Sequence, residues 1–154
     1  MKIRVLCPGK TRQDFLAAGM EEYLKRIRKY TPIQVEIIPD ASRSQSADIM
    51  QVKAKEAVII NSRLNEGDYL ICLDEQGKQF SSPEFAGLLK NISSEKNITF
   101  IIGGVYGLAE EIRDKCNLVL SFSKFTFTHQ MIRLLLLEQI YRGFTIIEGK
   151  KYHY

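Results

Sequence analysis

The chain has 154 residues, 45% of them hydrophobic, and 22 Lys and Arg against 18 Asp and Glu leave a net charge of +4. This is the length of about one domain with a core of its own, and the small basic excess is compatible with a polyanionic partner. A bilayer span is excluded, since the most apolar stretch, MIRLLLLEQIY, carries Arg133 and Glu138 and falls short of the roughly 20 residues a span needs.

In chain order, KIRVL (2–6) reads as a first strand, and it runs into the turn CPGKTRQD (7–14). Gly9-Lys10-Thr11 suggests a phosphate-binding loop, but that motif needs a glycine five residues earlier, where Arg4 stands, and the turn also lacks GxGxxG. A helix starts at about Gln13 and ends in YLKRIRKY, where Lys25, Arg26, Arg28 and Lys29 read as a solvated basic face. The strand IQVEII (33–38) precedes a polar, exposed loop, Pro39 to Asp48, with a second helix from about Ala47. The strand DYLICL (68–73) follows, and Ser81-Ser82-Pro83-Glu84 marks a capped helix start at Ser82. NITFII (97–102) and LVLSF (118–122) are the last two strands, with helices from about Leu108 and Gln130. Cys7, Cys72 and Cys116 form no CxxC pair and read as reduced and structural, as suits a cytoplasmic protein without a signal-like leader.

This alternation predicts an α/β fold, a single domain over 1–154, with a mostly parallel sheet flanked by helices. In such sheets ligands lie at the carboxyl ends of the strands. Two segments fall there. FIIGGVYGL (100–108) drives a buried strand into Gly103, Gly104 and Gly107, which serve either a tight strand-to-helix turn or a ligand lying against bare backbone. SFSKFTFTHQ (121–130) offers hydroxyls, carbonyls and rings, with only Lys124 and His129 ionisable, a wall suited to a neutral purine and a cation. Zinc spacing and a GxSxG elbow are both missing, so no metal is expected.

From Met131 to Tyr141 only Arg133, Glu138 and Gln139 are polar, so the last helix is apolar nearly all round. It is either a central core helix or one that packs against its own sheet and a second copy of the chain. Arg133 follows His129 by one turn on the same side, positioned to hold it or to be a buried structural partner, while Arg142 lies about 180° around the helix from Arg133. The tail GKKYHY mixes Lys150 and Lys151 with Tyr152, His153 and Tyr154, a combination suited to stacking on bases and to phosphate contact.

The glycine turn, the run LSFSKFTFTHQMIRLLLLEQIYRGFTIIEGKKYHY, the early GK and the first-helix EYLKRI together resemble the large-subunit ribosomal RNA methyltransferase H family, of the SPOUT class, over essentially the whole chain. The resemblance implies S-adenosyl-L-methionine as methyl donor, N3 of a pseudouridine in 23S rRNA, within the assembled ribosome, as acceptor, an obligatory homodimer, and a C-terminal trefoil knot. It implies cofactor contacts at Leu73, Gly103, Gly104, Ser123, Lys124, Phe125, Thr126, Phe127 and Thr128, with the two glycines bare so that the donor can press on the backbone. The expected catalytic or substrate-contacting groups are His129, Arg142, Tyr152 and His153, the last three reaching a partner's pocket across the dimer. Thr128 stands where the family usually has a proline, and Tyr154 where many members carry Lys or Arg. A non-catalytic RNA-binding α/β protein is the alternative; it explains the tail and leaves the two loops without a ligand.

Overall fold

The structure, a computed structural model, describes residues 1–43 and 48–154. Residues 44–47, part of the expected polar loop and the expected start of its helix, lie outside the described residues. The strands are β1 (Ile3–Pro8), β2 (Ile33–Ile38), β3 (Tyr69–Gln79), β4 (Ile98–Ile101) and β5 (Leu118–Ser121), all parallel, in the order β2-β1-β4-β3-β5. Helices α1 (Asp14–Ile27), α3 (Ser82–Ser93) and α5 (Met131–Ile147) cover one face, and α2 (Ile49–Arg63) and α4 (Glu110–Lys115) the other. Both faces being covered explains the near-continuous apolar strands.

The larger core joins Val5, Ile71 and Phe100 of the strands to Leu24, Leu89, Leu136 and Ile140 of the helices. The smaller joins Ile38, Cys72 and Ile101 to Ala57, Ile60 and Ile112. A polar rung crosses the sheet beneath α2: Arg4 donates to Glu36 at 3.1 Å, and Thr99 Oγ1 donates to Asp68 Oδ2 at 2.9 Å. Ser81 caps α3 as its sequence requires, its Oγ accepting from Glu84 N–H at 3.2 Å while Glu84 Oε2 accepts from Ser81 N–H at 2.7 Å. Cys7 and Cys72 are fully buried in β1 and β3, and burial pushes the Cys7 thiol up to about 11, which fits an inert packing role.

Helix α5 lies between α1 and α3, and none of its residues is exposed. This central position accounts for much of the apolar perimeter that the sequence also assigns to a second copy. The perimeter alone therefore does not require a dimer.

Arg133 ties this helix to the opposite end of the chain. Its side chain is fully buried, and it donates to Pro8 O at 2.6 Å, Gly9 O at 2.7 Å, Thr11 Oγ1 at 3.2 Å and His129 O at 3.1 Å. The β1–α1 turn has its carbonyls at the carboxyl end of β1, where no ladder partner takes them, and the planar guanidinium supplies several donors at once. Of the roles open to Arg133 in the sequence, the structure shows the structural one, and it holds His129 through the backbone carbonyl. Replacing Arg133 by Met is expected to cost about 3 kcal/mol or more, because it leaves buried carbonyls unpaired. A urea titration would show this as a lower midpoint at an unchanged slope, whereas an unchanged midpoint would mean that the turn is held by other contacts.

Candidate active site

All five strands point their carboxyl ends to one side, and the chain leaves β1 towards β2 but leaves β4 towards β5. The diverging connections open a crevice between them, as the topology of such sheets dictates. The cleft there has a volume of about 990 Å³. Its walls come from the β1–α1 turn, an excursion in β3, the segment after β4 and the segment between β5 and α5.

The excursion has a simple origin. Leu73 and Lys78 of β3 both pair with Leu120 of β5, so residues 74–77 are looped out of the ladder and carry Asp74, Glu75 and Gln76 to the cleft. Arg113 from α4 donates to Asp74 Oδ2 at 3.3 Å, and Thr126 Oγ1 donates to Glu75 Oε2 at 2.5 Å, joining the excursion to the loop after β5.

Of the residues expected to hold a cofactor, Leu73, Gly103, Gly104, Ser123, Phe125, Thr126, Phe127 and Thr128 line the cleft. Lys124 does not; its side chain lies in the exposed part of the loop. Two of the hydroxyls serve the loop itself. Ser123 Oγ accepts from Phe125 N–H at 3.0 Å, and Thr128 Oγ1 accepts from Met131 N–H at 3.0 Å. Thr128 thereby caps the start of α5, a contact a proline could not make, and its carbonyl accepts from Ile132 N–H at 3.1 Å.

The paired glycines, which line the cleft, also meet neighbours within the protein. A Cβ on Gly103 would stand 2.9 Å from the Gly107 carbonyl carbon and the Leu108 nitrogen, and one on Gly104 would stand 2.6 Å from Glu56 Oε2. The backbone of its own turn therefore demands the glycine at 103, whereas at Gly104 the near neighbour is the end of the Glu56 side chain. The turn is closed by Gly107, at φ +79°, whose N–H donates to Gly104 O at 3.0 Å.

His129 borders the cleft, partly buried. Burial lowers its pKa below the ordinary imidazole range, and Arg133 and Arg12 push the same way against Asp40. The ring is neutral at pH 7 and able to accept a proton. Arg142, Tyr152 and His153 are not brought to this cleft within one chain. They gather at the far end of α5, about 13 Å of helix rise beyond Arg133. There Arg142 Nη2 pairs with Glu138 Oε1 at 2.5 Å and Nη1 lies 3.2 Å from His153 Nδ1, while Tyr152 OH donates to Glu138 Oε1 at 3.1 Å. The half-turn between the arginines is thus visible as two different surroundings.

Sequence reasoning missed Arg12 and Gln13, from the turn dismissed as a phosphate loop, and Asp74, Glu75 and Arg113, all of which line the cleft. The signal for the excursion was present in LDEQGK, a polar run with a glycine where a buried strand should continue. It also missed Glu56, which the spacing of Val52, Glu56 and Ile60 places on the buried stripe of α2.

The chain matches over residues 1–153 the family described as predicted SPOUT methyltransferase. It is 43% identical to the ribosomal RNA large subunit methyltransferase H of Natranaerobius thermophilus, with all of both chains covered, and 39% identical to that of Enterococcus faecalis, with 99% of each covered. Two solved structures share the fold at a TM-score of 0.53. One is a probable methylase family protein from Haemophilus influenzae, 14% identical, with 99% of this chain and 70% of that one covered. The other is a probable methyltransferase from Bordetella pertussis, 11% identical, with 92% and 95% covered. With a parallel α/β sheet, a cleft at its diverging carboxyl edge and a family match along its whole length, this chain belongs to the SPOUT methyltransferases.

Proposed function

We propose that the protein methylates N3 of a pseudouridine in 23S rRNA of the large ribosomal subunit, with S-adenosyl-L-methionine as donor and a homodimer, its C-terminal segment knotted, as the active form. The observation that carries this reading is the make-up of the cleft. Leu73, Ile102, Leu120 and the rings of Phe125 and Phe127 give apolar walls for a purine, and Asp74 and Glu75, bonded to Arg113 and Thr126, add carboxylates to the lining that suit an ammonium or sulfonium cation. When bound, the donor supplies an electrophilic methyl group on a sulfonium, so the protein need only position the acceptor and relieve it of one proton.

His129 is the residue of the cleft suited to that proton: its ring is neutral at pH 7, and its backbone is fixed by Arg133. Arg12, beside it on the β1–α1 turn, is exposed and able to meet a phosphate. Arg142, Tyr152 and His153 lie outside the chain's own cleft, so their role in this reading is to close the cleft of the partner subunit over the RNA. The relatives' names carry the large ribosomal subunit RNA as target, in line with the net charge of +4.

Large subunits from a strain lacking this modification, incubated with the protein and labelled donor, should gain one methyl group at a single pseudouridine, located by mass mapping. Labelling spread over many sites, or none with donor bound, would overturn the assignment.

The pH profile follows from the lowered pKa of His129. The acid limb of kcat/KM should lie below the ordinary value of about 6.5, since protonation removes the acceptor only beneath that range. His129→Asn should abolish the limb along with most activity; a limb that persists in the variant would assign the titration to another group.

The shared site can be read from mixed dimers. His129→Ala and Arg142→Ala homodimers should both be inactive, but a heterodimer, co-expressed with two tags, restores one intact pocket and should recover up to about half of normal turnover. Heterodimers with cofactor bound but no turnover would place each site within one chain.

A further inference from the structure

We infer that Glu56 is a positioning residue for the methyl donor, reaching through the sheet connection from α2 to fix the orientation of the Gly103–Gly104 peptide. The inference deepens the reading above and rests on it for the identity of the ligand.

Glu56 is 3% exposed, and among the described residues it makes no salt bridge. Burial raises its pKa, countered first by the Gly104 N–H. A lone carboxylate at such a place is a liability for stability, and an apolar residue between Val52 and Ile60 would continue the stripe. What the carboxylate does is accept from Gly104 N–H at 3.1 Å, while its other oxygen occupies the space that a Gly104 Cβ would need. Pro8 Cγ also stands 3.5 Å from the same Cβ position, and the Pro8 carbonyl is held by Arg133.

Gly104 is thereby fixed at both of its backbone groups, the N–H by Glu56 and the C=O by Gly107. In a trans peptide the N–H and the preceding C=O point in opposite directions, so the Gly103 carbonyl is directed away from Glu56, within a segment that lines the cleft. A glycine pair left to itself has wide conformational freedom and would let this peptide rotate. Glu56 removes that freedom before the ligand arrives, presenting the carbonyl as a ready acceptor for an amine or hydroxyl of the donor.

The test uses Glu56→Met, which fills the same space without an acceptor, and Glu56→Gln, whose carbonyl oxygen can still accept from Gly104. Calorimetry with S-adenosylmethionine on the wild-type protein comes first: no binding there defeats the proposed function, whatever Glu56 does. Given wild-type binding, the Met variant should bind about tenfold more weakly, the scale of one hydrogen bond to a charged group, with the Gln variant close to wild type. In turnover the Met variant should show a raised KM for the donor and a kcat at saturation close to normal. A thermally weakened but folded Met variant with unchanged Kd would reduce Glu56 to a structural residue and overturn the inference. Hydrogen exchange supplies a second reading that needs no variant to fold. In the ligand-free wild type the Gly104 amide should exchange markedly more slowly than those of the exposed Val105 and Tyr106, and equal rates would also overturn it.

Discussion

The buried guanidinium of Arg133 is the contact on which the rest of the site depends. Its charge is spread over three backbone carbonyls and one hydroxyl, drawn from the first turn of the chain and from the entry to its last helix. Without it, the carbonyls at the end of β1 would face an apolar interior with nothing to bond, and α5 would lose its polar tie to the first turn of the chain. Because Pro8 is bonded to Arg133 and also abuts the Gly104 position, the same contact reaches the wall formed after β4. Residues more than a hundred positions apart thus come into register through one side chain.

Much of the framework was legible because local physics wrote it into the sequence. The strands fell where apolar runs were short and unbroken, and Ser81 with Glu84 announced the start of α3. The two cleft-forming loops were found from the glycine pair and from the cluster of hydroxyls and rings, and most of their expected residues do line the cleft. What stayed hidden depends on contacts between distant segments. That the Gly107–Leu108 backbone leaves no room for a side chain at Gly103, and that Glu56 lies against Gly104, cannot be read from the glycines. Nor does a turn without a phosphate motif reveal that its carbonyls need a buried arginine. Strand order is invisible for the same reason: β1 lies beside β4 through packing that no periodicity records.

Two chemically distinct clusters sit at the two ends of α5. The one at the cleft holds the His129 imidazole, whose pKa burial lowers. The one at the tail is built to donate: burial raises the pKa of the Tyr152 phenol, as do Tyr23 and Glu138 beside it, so Tyr152 keeps its proton. Arg142 stands 4.7 Å from the centre of the Tyr152 ring, and Tyr152 meets Tyr141 edge-on at 4.8 Å. A phenol held protonated among aromatic rings suits hydrogen bonding and stacking, and is ill suited to act as a base.

The looped-out piece of β3 has an entropic consequence. Both of its ends pair with Leu120, so the four residues between them leave and rejoin the ladder at a single point of the sheet, with Arg113 and Thr126 bonding them to their neighbours. The chain freedom lost in forming so short a closed loop is small and is already spent once the neighbouring ladder forms. Asp74, Glu75 and Gln76 are thus delivered to the cleft wall with little chain ordering left to impose on them.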